Sequence, residues 1–293
     1  MKKLIAIAAV PALFLVACSS ADQTATNEAD SPAAPQVDEG NGTLDHPDFL
    51  RKVADPTNYK VTREPAEHRG SSVLSTCGST DDSVYVNDYT GNLGVSTAYV
   101  NAHKNPVGAM ESSASDASSA KYCSGTLIAN DLFLTASHCI DSSTVANDYI
   151  AFNYERAKGS TTVLTQTHVK ITAIVEDGLG GLDYAIVRLQ GSPGTTFGTT
   201  PANATEVAAG GTLAIIQHPA RLPKKIEAGT KTGNSGDYHT YGNIDTQGGS
   251  SGSGILNASG QVVGVHTNGG CTSSGGTNSG VRMSRIAAAS NIL

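Results

Sequence analysis

From Cys77 onward, short apolar runs alternate with turn residues: 94–100, 125–128, 132–135, 149–152, 169–175, 184–189, 212–216 and 262–265. Each is of strand length and rich in β-branched or aromatic side chains, the composition of strands packed on a core. Only the tail 282–292, built around Ala287, Ala288 and Ala289, reads as a helix. No fixed-period repeat interrupts this pattern. Upstream it fails: residues 19–42 hold Ala, Thr, Asp, Glu, Pro and Asn with almost no aliphatic side chain, so burial cannot offset their chain entropy. That stretch reads as a disordered tether. Residues 43–75 are mixed and fit a propeptide, a surface wrap or further linker. The chain thus divides into 1–18, a tether or propeptide over 19–76, and a folded domain over 77–293.

Composition narrows the fold class to all-β. Tryptophan is absent, charged residues make up 15%, and 32 glycines supply tight turns, which suits many short strands in a sandwich or barrel. The net charge of −7, with no basic stripe, argues against nucleic acid as a partner.

The N-terminus reads as an export signal: Lys2 and Lys3 precede an apolar run over 4–17, too short to span as a mature helix. The run ends Leu15-Val16-Ala17-Cys18, which resembles a bacterial lipobox, with an ordinary cleavage near Ala17 or Ala21 as the alternative. The expectation is a cell-envelope protein held to a membrane by acyl chains on Cys18, at the outer membrane if the cell is Gram-negative, or released outside. Without Cys18 the cysteines are Cys77, Cys123, Cys139 and Cys271, an even set that predicts two disulfides in an oxidising compartment.

Three segments carry chemistry. The first, over 245–254, packs Ser250, Ser251 and Ser253 among Gly248, Gly249, Gly252 and Gly254, so the backbone can turn tightly and aim its N–H groups at one point. Taken alone it could be a flexible Gly/Ser loop. The second is a buried-type strand, 132–135, running into Ala136-Ser137-His138-Cys139, with Cys123 sixteen positions before Cys139. A zinc site would need a further ligand pair that this text lacks, so a Cys123–Cys139 bridge is expected; it would pin the histidine's turn and contribute about 3 kcal/mol. In the third, Asp183 stands at the mouth of the apolar run 184–189, either as an ordinary strand-end carboxylate or as the group that orients a catalytic imidazole. Asp177 is a weaker candidate, because Gly178 follows it. Gly248-Gly249-Ser250-Ser251-Gly252 also fits the G-x-S-x-G nucleophile elbow, but no acid follows Ser250 and the helices of an α/β layer are missing.

In the order His, Asp, Ser, these segments resemble the trypsin-like superfamily of double-barrel serine peptidases over nearly the whole stretch from Cys77 to the C-terminus. The bacterial branches with the V8-type and Bacillus-type glutamyl endopeptidases and the lysyl endopeptidases are the most similar. The resemblance implies two six-stranded antiparallel Greek-key β-barrels with a C-terminal helix, and a monomeric endopeptidase acting on polypeptides with no metal and no cofactor. It makes Ser251 the nucleophile, His138 the general base, Asp183 the orienting carboxylate, and the Gly249 and Ser251 amides the oxyanion hole. It also implies a Cys77–Cys271 bridge, as in the lysyl endopeptidases. Ser250 stands where trypsin-type zymogens carry the aspartate that pairs with a new N-terminus, so that activation route is excluded.

For the residue whose carbonyl is cut, Thr246 and His266 match positions that bind a glutamate carboxylate, whereas Asp245 stands where Lys- and Arg-selecting enzymes carry their pocket aspartate. The expectation leans to glutamate, with Lys or Arg as the alternative. A catalytically idle binding protein on the same fold is the non-enzyme alternative.

Overall fold

The computed structural model describes residues 75–293. The signal segment, Cys18 and the tether up to residue 74 lie outside the described residues. The first half of the domain is a closed antiparallel barrel of six strands: β2 (Val107–Glu111), β3 (Lys121–Leu127), β4 (Leu132–Thr135), β5 (Tyr149–Phe152), β6 (Thr167–Asp177) and β7 (Ala185–Leu189). A short β1 (Val84–Tyr85) precedes it and pairs elsewhere. Barrel order is β2-β3-β4-β7-β6-β5, so closure leaves no unpaired edge. Five of its strands are buried nearly end to end, whereas β6 is half-buried or exposed over 167–170 and 172–174 and becomes continuously buried only over 175–177. Phe133 and Phe152 meet edge to face at 6.2 Å inside it, and Phe152 stacks on Phe197 at 4.4 Å.

The second half is an antiparallel sheet of eight strands in the order β1-β9-β8-β12-β13-β14-β11-β10. It comprises β8 (Thr212–Gln217), β9 (Lys225–Thr230), β10 (Gly233–Ser235), β11 (Tyr238–Tyr241), β12 (Gly254–Asn257), β13 (Val262–Asn268) and β14 (Asn278–Arg282), with β1 at one end. Six strands form the body of this second barrel-like layer, and the short β1 and β10 extend its two ends. Leu213, Ile215, Tyr241, Ile244, Ile255 and Val263 form a compact apolar cluster within it.

The helix expected in the tail is present as Met283–Ala289, where Met283 and Ile286 are buried. Residues 94–100, read as a strand, instead lead into a helix, α1 (Thr97–His103). The Ser96 side chain accepts from the Tyr99 amide at 3.0 Å and so caps its first turn. Val100 is the face it buries, and Tyr99 and His103, four apart, bring their rings to 4.8 Å. The strand-like composition of Val95, Thr97, Tyr99 and Val100 was outweighed by that cap. A second short helix, α2 (Gly194–Phe197), lies between β7 and β8, which makes the tail helix α3.

Two sets of contacts join the halves. Lys224, fully buried before β9, donates to Glu155 Oε1 at 3.1 Å and to the Lys104 carbonyl at 2.7 Å. Burial alone would raise the Glu155 pKa, but Lys224 and Lys104 together hold it down to about 2. Ser124 of β3 makes the other set, through its backbone and hydroxyl to the glycine-serine segment of the second half.

Candidate active site

The strand β4 ends at Thr135, and a single turn of 3-10 helix, Ser137–Cys139, carries His138. Cys139 is bonded to Cys123 with Cα atoms 6.2 Å apart, which fastens this turn to β3. The two sulfurs bond each other and so offer no metal ligand. Asp183 follows the turn Leu179–Gly181 and precedes β7, which pairs with β4 through Thr135↔Ala185. That register brings the two side chains together. Asp183 Oδ2 lies 2.7 Å from His138 Nδ1, and Oδ1 accepts from the His138 amide at 3.0 Å. A carboxylate held to both the ring and the backbone of one residue fixes the ring's rotation and places the proton on Nδ1, so that Nε2 is the free base. Burial would raise the Asp183 pKa, but His138 and the amides of His138 and Ser137 hold it below the ordinary carboxylate value. The weaker candidate, Asp177, is instead bonded by the Ser137 hydroxyl.

The glycine-serine segment lies against the His138 turn. The Ser251 carbonyl accepts from the Ser124 amide at 2.8 Å and lies 3.8 Å from Cys139 Sγ. Gly252 has φ +87°, and a Cβ there would fall 2.1 Å from Thr135 Oγ1 and 2.3 Å from the Ser124 carbonyl, so only glycine permits this approach. Ser250 is wholly buried and its hydroxyl accepts from the Gln247 amide at 3.1 Å, whereas Ser251 is partly exposed. Gly249 has φ +102° and a Cβ on it would reach 2.6 Å from the His218 carbonyl. Among the described residues, the amides of Gly249 and Ser251 donate to no protein acceptor. Ser124 Oγ buttresses the segment by donating to the Gly249 carbonyl at 2.7 Å and accepting from the His218 amide at 3.0 Å.

His266 lies on β13, whose backbone pairs around the same segment: Gly252 N donates to the His266 carbonyl at 2.8 Å and His266 N to the Ser253 carbonyl at 2.9 Å. The His266 ring is buried, with Nδ1 2.6 Å from the Tyr241 hydroxyl. Burial first, then the neighbouring His138, push its pKa down to about 3 against smaller upward pulls from the Ser279 backbone and Asp183, so the ring is neutral. Thr246 is buried, and its backbone bridges to Ser75, N to O at 3.1 and 3.3 Å. Asp245 Oδ1 accepts from the Cys77 amide at 2.6 Å and Oδ2 from the Asp82 amide at 3.1 Å, and the residue is 3% exposed. The Cys77–Cys271 bridge implied by the resemblance is present, with Cα atoms 4.7 Å apart. It holds the same N-terminal segment to the loop after β13.

Sequence reasoning did not find Ser124, Tyr241 or the buried Glu227 of β9. Ser124 stands next to Cys123, and that adjacency was the available signal; the other two are polar residues within or at the ends of strands and look like ordinary sheet positions.

A closed barrel and a second antiparallel sheet, with a His–Asp pair on the first and a glycine-framed serine on the second, define the chymotrypsin-type fold. Residues 123–265 match the family model of the trypsin-like peptidase domain. Over those residues the chain carries a trypsin-like peptidase domain. Among solved structures it is similar to a Glu endopeptidase in complex with MPD, at 21% identity over 72% of this chain and 95% of that one, with a TM-score of 0.52. A serine endoprotease from Yersinia pestis is 17% identical over 65% of this chain and 63% of that one, with a TM-score of 0.49. Human heparin binding protein is 14% identical over 62% and 87%, with a TM-score of 0.48. At these identities the likeness is one of fold. No curated protein matches the chain in sequence.

Proposed function

We propose that the protein is a serine endopeptidase in which Ser251 attacks the peptide carbonyl, His138 Nε2 takes the hydroxyl proton and returns it to the leaving amine, and Asp183 orients the imidazole. The observation that carries this reading is the two-point hold of Asp183 on His138, which leaves Nε2 as the free base. The unengaged amides of Gly249 and Ser251 would receive the developing oxyanion, each donor being worth about 3 kcal/mol of barrier. Water then hydrolyses the acyl-enzyme by the same proton path in reverse. Labelling of the purified protein by a fluorophosphonate, abolished in Ser251→Ala and slowed in His138→Ala, is the expected result. Labelling that persists in Ser251→Ala overturns the assignment of the nucleophile, and a parent protein that is not labelled at all favours the idle binding protein.

Within this reading the preferred residue before the cut bond is glutamate. A Tyr241 hydroxyl donating into Nδ1 would keep the His266 proton on Nε2, where a neutral imidazole N–H and the Thr246 hydroxyl can bind a carboxylate. The engagement of both Asp245 oxygens by backbone amides supports this over a Lys or Arg preference. Cleavage profiling in a denatured protein mixture should give cuts after Glu that weaken in His266→Ala and, less, in Tyr241→Phe. Cuts after Lys or Arg that vanish in Asp245→Ala overturn it. We also propose that the mature chain begins at a lipidated Cys18; Cys18→Ala should release the protein or stop its processing, and a variant still bound to membrane would refute the anchor.

A further inference from the structure

Three separate stretches of chain bring carboxylates to one point on the side of the Asp245 loop. Asp81 and Asp82 lie in the exposed turn before β1, Glu227 in the middle of β9, and Asp245 just before the glycine-serine segment. One oxygen each of Asp81, Glu227 and Asp245 lie within 4.8 Å of one another. Glu227 is the unusual member. It is 0% exposed in the interior of the sheet; Oε1 accepts from the Ala228 amide at 3.0 Å, Oε2 finds no donor among the described residues, and the Asp82 carboxyl stands within hydrogen-bond reach of the Glu227 carboxyl. A buried carboxylate oxygen left unsatisfied beside other carboxylates calls for a positive or protic partner.

The surrounding charge does not provide one. Lys225 is the cation nearest the group, with Nζ 3.3 Å from Asp81 Oδ2 and 3.0 Å from Ser83 Oγ at the exposed rim, and the Gln247 side-chain amide donates to the same Asp81 oxygen at 3.0 Å. Four carboxyl groups against one lysine leave a formal surplus of negative charge. Burial foremost, then Asp82 and Asp245, push the Glu227 pKa up to about 9, and burial likewise raises Asp245.

We propose that Asp81, Glu227 and Asp245, with Asp82 beside them, bind a hard divalent cation of calcium size that fastens the 77–82 segment to β9 and to the loop leading into Gly249. Calcium takes oxygen ligands at about 2.3–2.6 Å, so oxygens on opposite sides of one ion stand about 4.8 Å apart. The observed spread fits within that limit. Asp245 is already oriented to hold an ion, since each of its oxygens accepts one backbone amide, which fixes the carboxylate and leaves a lone pair on each for coordination. The exposed Asp81 and Asp82 open the site to solvent, so water can complete the coordination shell and the ion has a way in. The role is structural and independent of how Ser251 reacts.

The test is thermal melting of the full protein after chelator treatment, titrated with calcium chloride at constant ionic strength. Binding at about one-hundredfold above Kd should raise Tm by about 5–10 °C, since a ligand of the native state stabilises by mass action. Glu227→Gln should abolish the shift. Should that variant not fold, Asp81→Asn, at the exposed rim, should move the calcium midpoint at least about tenfold upward, because one of few charged ligands is lost. A Tm unmoved by calcium up to about 10 mM, well above the weak end of protein calcium affinities, would overturn the proposal. So would a calcium shift that survives both substitutions. A Glu227→Gln protein that is more stable than the parent, with calcium inert in both, would overturn it too and show instead that the cluster is held by a shared proton.

Discussion

Ser124→Ala removes one oxygen from a fully buried position and should unsettle the glycine-serine segment that it touches directly. In the native protein that hydroxyl donates to the Gly249 carbonyl at 2.7 Å and accepts from the His218 amide at 3.0 Å. Both partners are buried, so neither finds water when the hydroxyl goes. Each unsatisfied group costs about 1–3 kcal/mol, which gives about 2–6 kcal/mol for the pair, with little added for a cavity the size of one oxygen. The Gly249 carbonyl belongs to the peptide unit next to an amide assigned to the oxyanion, so a fluorophosphonate should also label the variant about tenfold more slowly, a fraction of the full worth of one such donor. Urea unfolding and labelling rates on the same preparations read both effects. Ser259→Ala, at an exposed turn, is the control and should stay within about 0.5 kcal/mol. A Ser124→Ala protein within about 0.5 kcal/mol of the parent and labelled at the parental rate would refute the buttress, since two buried groups cannot both be orphaned at no cost.

Acid should weaken the fold before most carboxylates protonate. His218 and His266, at about 3, and His239, at about 4, are held neutral chiefly by burial. The unfolded chain takes up these protons below about pH 6.5 and the folded one does not, so stability is lost as pH falls through that window, by about 2 kcal/mol per histidine between pH 6.5 and 5; a stability unchanged from pH 7 to 5 contradicts this. Opening the Cys77–Cys271 bridge, which spans a separation of 194, should cost up to about 5 kcal/mol by loop entropy, more than opening Cys123–Cys139 at a separation of 16, and urea midpoints of the two double-serine variants give the order. Gly252→Ala should lose at least about 3 kcal/mol or fail to fold, because its new methyl meets the Ser124 carbonyl at 2.3 Å; a well-folded variant with parental labelling contradicts the close approach.

The triad candidates were legible because each is announced locally. His138 ends an apolar strand beside a cysteine, Asp183 begins one, and Ser251 is framed by glycines, so nearest-neighbour chemistry suffices to point at them. The core strands β4, β5 and β8 were legible for the same reason, being continuous apolar runs. What escaped depends on partners far away in sequence. The partners of Asp245 are amides of Cys77 and Asp82, 168 and 163 positions distant; the context Ile244-Asp245-Thr246-x-Gly248-Gly249, by its resemblance to Bacillus-type glutamyl enzymes, leans to a backbone-bonded Asp245 but names neither partner. Strand β14, Asn278–Arg282, has no apolar alternation because its place is fixed by pairing with both β11 and β13 and by close packing that excludes a side chain at Gly280, where a Cβ would fall 2.2 Å from the Val265 carbonyl. Glu227 looks like the polar face of β9, and nothing in its sequence neighbourhood signals that the side chain is 0% exposed once β9 is paired between β1 and β8.

The link between Cys77 and Cys271 turns almost all of the described chain into a covalent ring, with only β14, α3 and the few residues around them outside. A peptidase is always in the presence of one polypeptide, itself, and exposed turns such as the one around Gly159 are where it would be nicked. A single cut anywhere within that ring opens it without releasing a fragment. Self-digestion would therefore leave the pieces joined until a reductant is added, and the severed ends would stay at high effective concentration for each other, able to hold the two halves in register after the backbone has been broken.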